Sequence, residues 1–122
     1  MTRSVDIQSV VYMNGPSDLI RAAEAVANAA RVAREEQQLG AWSFLLGDGS
    51  PEPMLTTSDL LEIEKLVAGS GGVFQYEVFG ENLGSAAGHN RLAALGNAEQ
   101  LVILNPDALM DPLLLATLLG TV

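Results

Sequence analysis

A carboxylate closes the apolar run Leu101-Val102-Ile103-Leu104-Asn105-Pro106-Asp107, and its type and setting suit it to chemistry. Asp107 can offer a hard cation such as Mg²⁺ or Mn²⁺ one oxygen, with water and substrate phosphates completing the shell. The triplet Asn105-Pro106-Asp107 reads equally as a turn held by an Asx hydrogen bond and a fixed proline φ. Its place after a buried strand shifts the balance, because open α/β sheets bind ligands outside the carboxyl ends of their strands. The preceding loop, Glu81-Asn82-Leu83-Gly84-Ser85-Ala86-Ala87-Gly88-His89-Asn90, is broken by glycines. Those glycines could serve a turn or make room for packing, while exposed N–H groups where a helix starts near Ser85 would suit an anion.

Asp48 lies in Gly47-Asp48-Gly49-Ser50, a lone Gly-x-Gly without the third glycine and acidic follower of a dinucleotide fingerprint. It is either a turn residue or a contact to a base or ribose. The chain has no Gly-x-x-x-x-Gly-Lys-[Ser/Thr], and its one lysine, Lys65, belongs to the solvated side of a predicted helix. His89 and Arg91 are the nearest cations to the glycine-broken loop. A lone histidine is more often packed than ligating, so His89 is assigned no chemistry. With so few cations on this rim, a bound diphosphate would be neutralised mainly by a metal ion and helix amino ends, which adds weight to Asp107.

Composition narrows the classes. A chain of 122 residues, 48% hydrophobic and 17% charged, is the size of one domain and can close one core. A formal charge of -9 would repel a polyphosphate backbone, which argues against nucleic-acid binding. The absence of cysteine rules out disulfides, Fe–S clusters and thiolate zinc sites. No apolar run of signal-peptide length opens the chain, and none approaches the roughly 20 residues that span a bilayer. The expectation is a cytoplasmic chain, with peripheral association with a membrane left open.

These residues need strands and helices to position them. Val5 to Tyr12 is rich in β-branched residues and breaks at Asn14-Gly15-Pro16. Arg21, Glu24, Asn28, Arg31 and Glu35 recur at helical spacing opposite a stripe of Leu19, Ala22, Ala23, Val26, Ala29, Ala30 and Ala33; Gly40 is expected to end this helix. Ala41 to Leu46 is a second strand, followed by a loop that Pro51 and Pro53 keep irregular. Asp59 and Glu62 have capping-box spacing for a helix running to about Ala68. Val73 to Phe79 alternates, as an edge strand does, whereas Leu101 to Leu104 is apolar on both faces, as a central parallel strand is. A helix over roughly Ser85 to Leu95 separates them, and Asp111 with Pro112 should start a last helix that Gly120 ends. The βαβαβαβα order implies a Rossmann-like, three-layer α/β/α fold with a mainly parallel sheet of about four strands, in one domain spanning residues 1–122. Every strand-to-helix loop then emerges on one rim.

The order Asn82-Leu83-Gly84, Gly88-His89-Asn90-Arg91-Leu92-Ala93 and Leu101 to Asp107 resembles the core pattern of family 2 glycosyltransferases, especially the rhamnosyltransferase-like members with Asn-Pro-Asp in place of Asp-x-Asp. The likeness covers nearly the whole chain. It implies a GT-A half-fold that binds a nucleotide-diphosphate sugar of UDP or dTDP type, with Mg²⁺ or Mn²⁺ bridging the diphosphate, for transfer to a hydroxyl of a glycan or lipid-linked acceptor. By the same resemblance Asp107 matches the metal-binding acid, Asn105 the first position of that motif, and Asn14, Asp48 and Asn82 surround the nucleoside. The family often has an acid where this chain has Gly47, so base recognition would pass to Asp48 or be lost. The resemblance also implies a further half, with the acceptor pocket and catalytic base, so the chain is expected to be a donor-binding half that does not complete transfer alone. The competing expectation is a non-catalytic α/β interaction module of the same fold. In that case Leu113, Leu114, Leu115, Leu118 and Leu119 would form an exposed face through which copies associate.

Overall fold

β-Branched residues set the first strand and alanines the longest helix. The computed structural model describes residues 2–121. Its elements are β1 (Arg3–Val11), α1 (Pro16–Glu35), β2 (Leu39–Asp48), α2 (Thr57–Gly69), β3 (Gly72–Val78), α3 (Ser85–Ala93), β4 (Gln100–Ile103) and α4 (Leu114–Leu119). The strands form one parallel sheet in the order β3-β2-β1-β4. This is the expected Rossmann-like α/β arrangement. Among the described residues no helix is long and apolar enough to cross a membrane.

Alternation along the strands divides the core in two. Val5, Ile7 and Val11 of β1 and Trp42, Phe44 and Leu46 of β2 face α1, α2 and α4 across the main core. The alanine stripe of α1 is buried there, and the absence of large side chains lets the helix lie close to the sheet. The opposite face packs Leu45, Phe79 and Leu92 under α3, with Val10 and Leu83 beside them. Gly88 permits this approach, since a Cβ there would lie 3.0 Å from both methyls of Val10. The three-layer sandwich is therefore thick on one side and thin on the other.

Several boundaries differ from those expected. α1 stops before Gly40, because Gln37 takes a left-handed φ of 58°. The N–H of Gln38 then donates to Ala33 at 3.0 Å and that of Gln37 to Arg34 at 2.9 Å, a Schellman closure without glycine. The capping box of α2 pairs Thr56 with Asp59, three residues upstream of the predicted Asp59 and Glu62. α4 begins after a turn in which Asp111 accepts the N–H of Leu113 at 2.8 Å. The expected apolar face is divided, since Leu115 and Leu119 are buried in the main core, Leu114 is half-buried and Leu113 and Leu118 are exposed.

The largest correction concerns β4. Its apolar run predicts a central strand, yet it pairs with β1 alone and is the second edge of the sheet. Leu101 and Ile103 are exposed on the thin side, where α3 covers β1 and β2.

Candidate functional site

The strand ends bring the four predicted loops to one rim, and Asn14 is the joint between two of them. Its Oδ1 accepts the N–H of Tyr12 at 3.0 Å, while its Nδ2 donates to Asp107 Oδ1 at 3.0 Å. The loops after β1 and β4 are thus tied side chain to side chain, as adjacency of the two strands allows. Asn105 works one step behind, accepting the N–H of Asp107 at 2.9 Å and so fixing the turn that presents the carboxylate. Asn105 Oδ1 is therefore an Asx-turn acceptor, and Asp107 is left exposed with Oδ2 free of protein partners among the described residues.

A cleft of about 200 Å³ opens beside Asp107, lined by Asp18, Arg21, Pro106, Asp107 and Leu109. Arg21 sits one turn into α1 and forms no ion pair among the described residues. It was legible in the sequence only as part of a solvated helix face. Its position after Pro16 at the start of α1 carries it to the rim, into the same cleft as the carboxylate, while His89 and Arg91, the cations expected near the glycine-broken loop, do not line that cleft. Arg91 instead lies 5.4 Å over the ring of Phe79. His89 Nδ1 meets the Gln8 side chain at 3.2 Å. With the Gln8 amide oriented to satisfy its partners, Gln8 donates to His89 Nδ1 and to the His89 carbonyl and accepts from Ala93 N–H at 3.0 Å. Burial lowers the His89 pKa, in keeping with a neutral packing residue.

Asp48 is fully buried and faces inward. Its Oδ1 accepts Ser50 N–H at 2.9 Å, and its Oδ2 accepts Met54 N–H at 2.9 Å and the Tyr76 hydroxyl. Burial alone would raise its pKa, but the hydrogen bonds from Ser50, Tyr76 and Met54 outweigh that and hold the carboxyl below its ordinary value. Burial, and then the Asp48 charge, drive Tyr76 the other way, well above the usual phenol range. Asp48 therefore shapes the Gly49 to Leu55 loop and presents no oxygen to a ligand, contrary to the nucleoside contact expected of it. Ser50 passes the order on, since its Oγ accepts Met13 N–H at 2.7 Å and holds Met13 at a left-handed φ of 60°.

The loop shaped in this way forms one wall of a groove of about 390 Å³, lined by Met13, Pro16, Pro51, Glu52, Pro53 and Met54. The loop from Gly47 to Pro53 is expected on this rim from its prolines after a strand end, whereas Met13 and Met54 as groove walls are not. Asn82 follows β3 in a loop that turns back over the end of β2, where a Cβ on Gly49 would lie 3.4 Å from the Asn82 Cα. It accepts the N–H of Gly84 at 3.1 Å, closing a turn in which Gly84 has a φ of 79°. Gly49 draws the loops together, because a Cβ there would lie 3.1 Å from the Glu81 carbonyl and 3.7 Å from that of Val11.

The rim thus brings together Asn14, Asn105 and Asp107, adds Arg21 and the Met13–Met54 groove, sets Asn82 over the end of β2 and removes Asp48 to the interior. Among the described residues no group of three or more His, Asp or Glu side chains gathers at one point. A divalent ion at Asp107 would accordingly take one protein oxygen, with Asp18 in the same cleft, and draw its remaining ligands from water and a phosphate. Set against known protein families, curated proteins and solved structures, the chain matches none of them.

Proposed function

We propose that this domain binds a nucleotide-diphosphate sugar, as the donor-binding part of a glycosyltransferase resembling family 2. The observation that carries the reading is the Asn14–Asp107 hydrogen bond, which fixes a solvent-facing carboxylate in an arginine-lined cleft, with an apolar groove beginning at Met13, next to Asn14 in the chain. The groove is wide and apolar enough for a nucleoside base, and Met13 and Met54 are soft surfaces against which a ring can pack. The diphosphate would then lie toward Asp107 and Arg21. Arg21 offers phosphate a forked donor, and Asp107 Oδ2 is the oxygen that would hold Mg²⁺ or Mn²⁺. The ion would supply positive charge to the diphosphate as it leaves the sugar.

Calorimetry of UDP and dTDP, with and without Mn²⁺ or Mg²⁺, tests the reading. Metal-dependent binding that Asp107→Ala weakens by at least about tenfold is expected, a loss of about 1.4 kcal/mol. Metal-independent binding, or binding unchanged in Asp107→Ala, would refute the metal role; no nucleotide binding at all would refute the reading.

One observation favours a second reading, a non-catalytic module of the same fold. Asp48 spends both oxygens on its own chain, so the acid expected to meet the nucleoside is withdrawn from the rim and the groove keeps only the loop residue Glu52 as a carboxylate. Failure to bind any nucleoside diphosphate, with the fold intact, would decide for it.

A further inference from the structure

The sheet ends on an unguarded strand. β4 pairs with β1 in the register Leu101 to Asp6, Val102 to Ile7 and Ile103 to Gln8, and Leu104 N–H donates to the Gln8 carbonyl at 2.8 Å. In a parallel ladder each residue directs both its peptide groups to one neighbour and the next residue directs its own to the other. Val102 therefore faces β1, and the N–H and C=O groups of Leu101 and Ile103 point away from the sheet, where no described residue meets them. Their side chains are 49% and 60% exposed on the thin face. Natural edges carry charges, prolines or bulges that discourage pairing. Gln100 to Leu104 has none of these, whereas β3 at the other edge carries Glu77.

We propose that β4 pairs antiparallel with β4 of a second copy of this chain, joining two four-stranded sheets into one of eight strands. The register follows from which peptide groups are free. A two-fold axis through Val102 sets Leu101 opposite Ile103 of the second copy, and Ile103 opposite its Leu101. Both are hydrogen-bonded pairs, so four backbone bonds use all four outward N–H groups and all four outward carbonyls. A slip of one residue would instead present Val102, whose peptide groups β1 already holds.

The side chains agree with that register. Two Leu–Ile pairs meet across the joint on one face, where cross-strand apolar pairs stabilise. Farther out, Gln100 falls opposite Leu104, so no like charges face each other within the joint. The sequence Leu101-Val102-Ile103 is apolar read in either direction, which is what a self-pairing strand requires. Each copy carries a formal charge of -9, so long-range repulsion opposes the contact and salt should strengthen it.

Sedimentation velocity from about 5 to 500 µM protein, at low and high salt, tests this, since so short a joint belongs to the weak, micromolar-to-millimolar class. A monomer–dimer equilibrium that tightens with salt is expected. Amide exchange should show Val102 N–H protected at every concentration and the N–H groups of Leu101 and Ile103 protected only where dimer forms. Ile103→Lys should weaken association at least about tenfold, as should Leu101→Pro, which removes an outward N–H without touching the β1 ladder. Val73→Lys, on the opposite edge strand, should leave association unchanged. A monomer at every concentration and salt would overturn the proposal. So would a dimer that survives both edge variants, which would move the contact to Leu113 and Leu118, or slow exchange of Leu101 and Ile103 in the monomer, which would mean another segment covers the edge.

Discussion

Replacing Tyr76 with Phe removes a single hydroxyl and tests whether Asp48 is the internal brace of the rim. Asp48 is fully buried, and Tyr76 donates to it alongside the N–H groups of Ser50 and Met54. A hydrogen bond to an ionised group contributes about 1.5–3 kcal/mol, and because Tyr76 is only half-buried the lower end, about 1.5–2 kcal/mol, applies. For 122 residues that corresponds to a fall in Tm of about 5–9 °C. The cost should also depend on pH. The folded-state pKa of Asp48 is depressed, so between the folded and unfolded values the unfolded chain binds more protons and stability rises with pH. The contribution is complete above the ordinary aspartate value of about 3.9 and is lost as pH falls through the lower folded value. Urea denaturation followed by circular dichroism should therefore show a gap between wild type and Tyr76→Phe at pH 7 that narrows below about pH 4. A gap under about 0.5 kcal/mol at neutral pH would be no more than an ordinary surface change, and it would refute the brace. A gap indifferent to acid would refute the assignment to the ionised carboxylate.

Two further variants probe the rim and the packing beneath it. Arg21→Gln should leave stability within about 0.5 kcal/mol, because Arg21 is exposed and unpaired among the described residues. On the proposed function it should weaken nucleoside diphosphate binding by about three- to tenfold at low salt and less in high salt, as calorimetry at two ionic strengths would show. Gly88→Val should destabilise by about 1–3 kcal/mol in urea melts, since even its Cβ would lie 3.0 Å from the Val10 methyls and α3 would have to lift.

The elements were legible in the sequence where period and punctuation agree. The α1 stripe of Leu19, Ala22, Ala23, Val26, Ala29, Ala30 and Ala33 is buried as its spacing requires. The end of α1 was not, because Gln37 takes the left-handed position that glycine usually fills, which drew the boundary to Gly40. β4 misled for a different reason. Apolar residues on both faces signal burial, but local sequence does not specify what buries them, and here Leu101 and Ile103 face outward. Asp107 and Asn14 were legible as strand-end polar residues, whereas their hydrogen bond depends on β1 and β4 being neighbours, a tertiary fact. Arg21 was hidden because charged residues at helical spacing look alike whether they face bulk water or a cleft.

The neighbouring residues Gly47 and Asp48 show how packing decides what the end of β2 can present to the rim. Side chains alternate along β2, so Asp48 points into the main core and position 47 points to the thin side. There the space is taken: a Cβ on Gly47 would lie 2.8 Å from Phe79 Cε2 and 3.3 Å from Leu92 Cδ1. Phe79 has little room to withdraw, being buried with Leu45 and Leu92 beneath α3 and capped by Arg91. An acid at position 47 would have to displace that ring, so the glycine and the Phe79 packing belong together. Asp48 does not compensate, because turning it outward would strand the Ser50 and Met54 N–H groups that it accepts, at about 1–3 kcal/mol for each donor left buried and unpaired. On the proposed function, discrimination among bases would therefore fall to the shape of the Met13–Met54 groove, to backbone groups and to Glu52 on its wall, in place of a carboxylate fixed at the strand end.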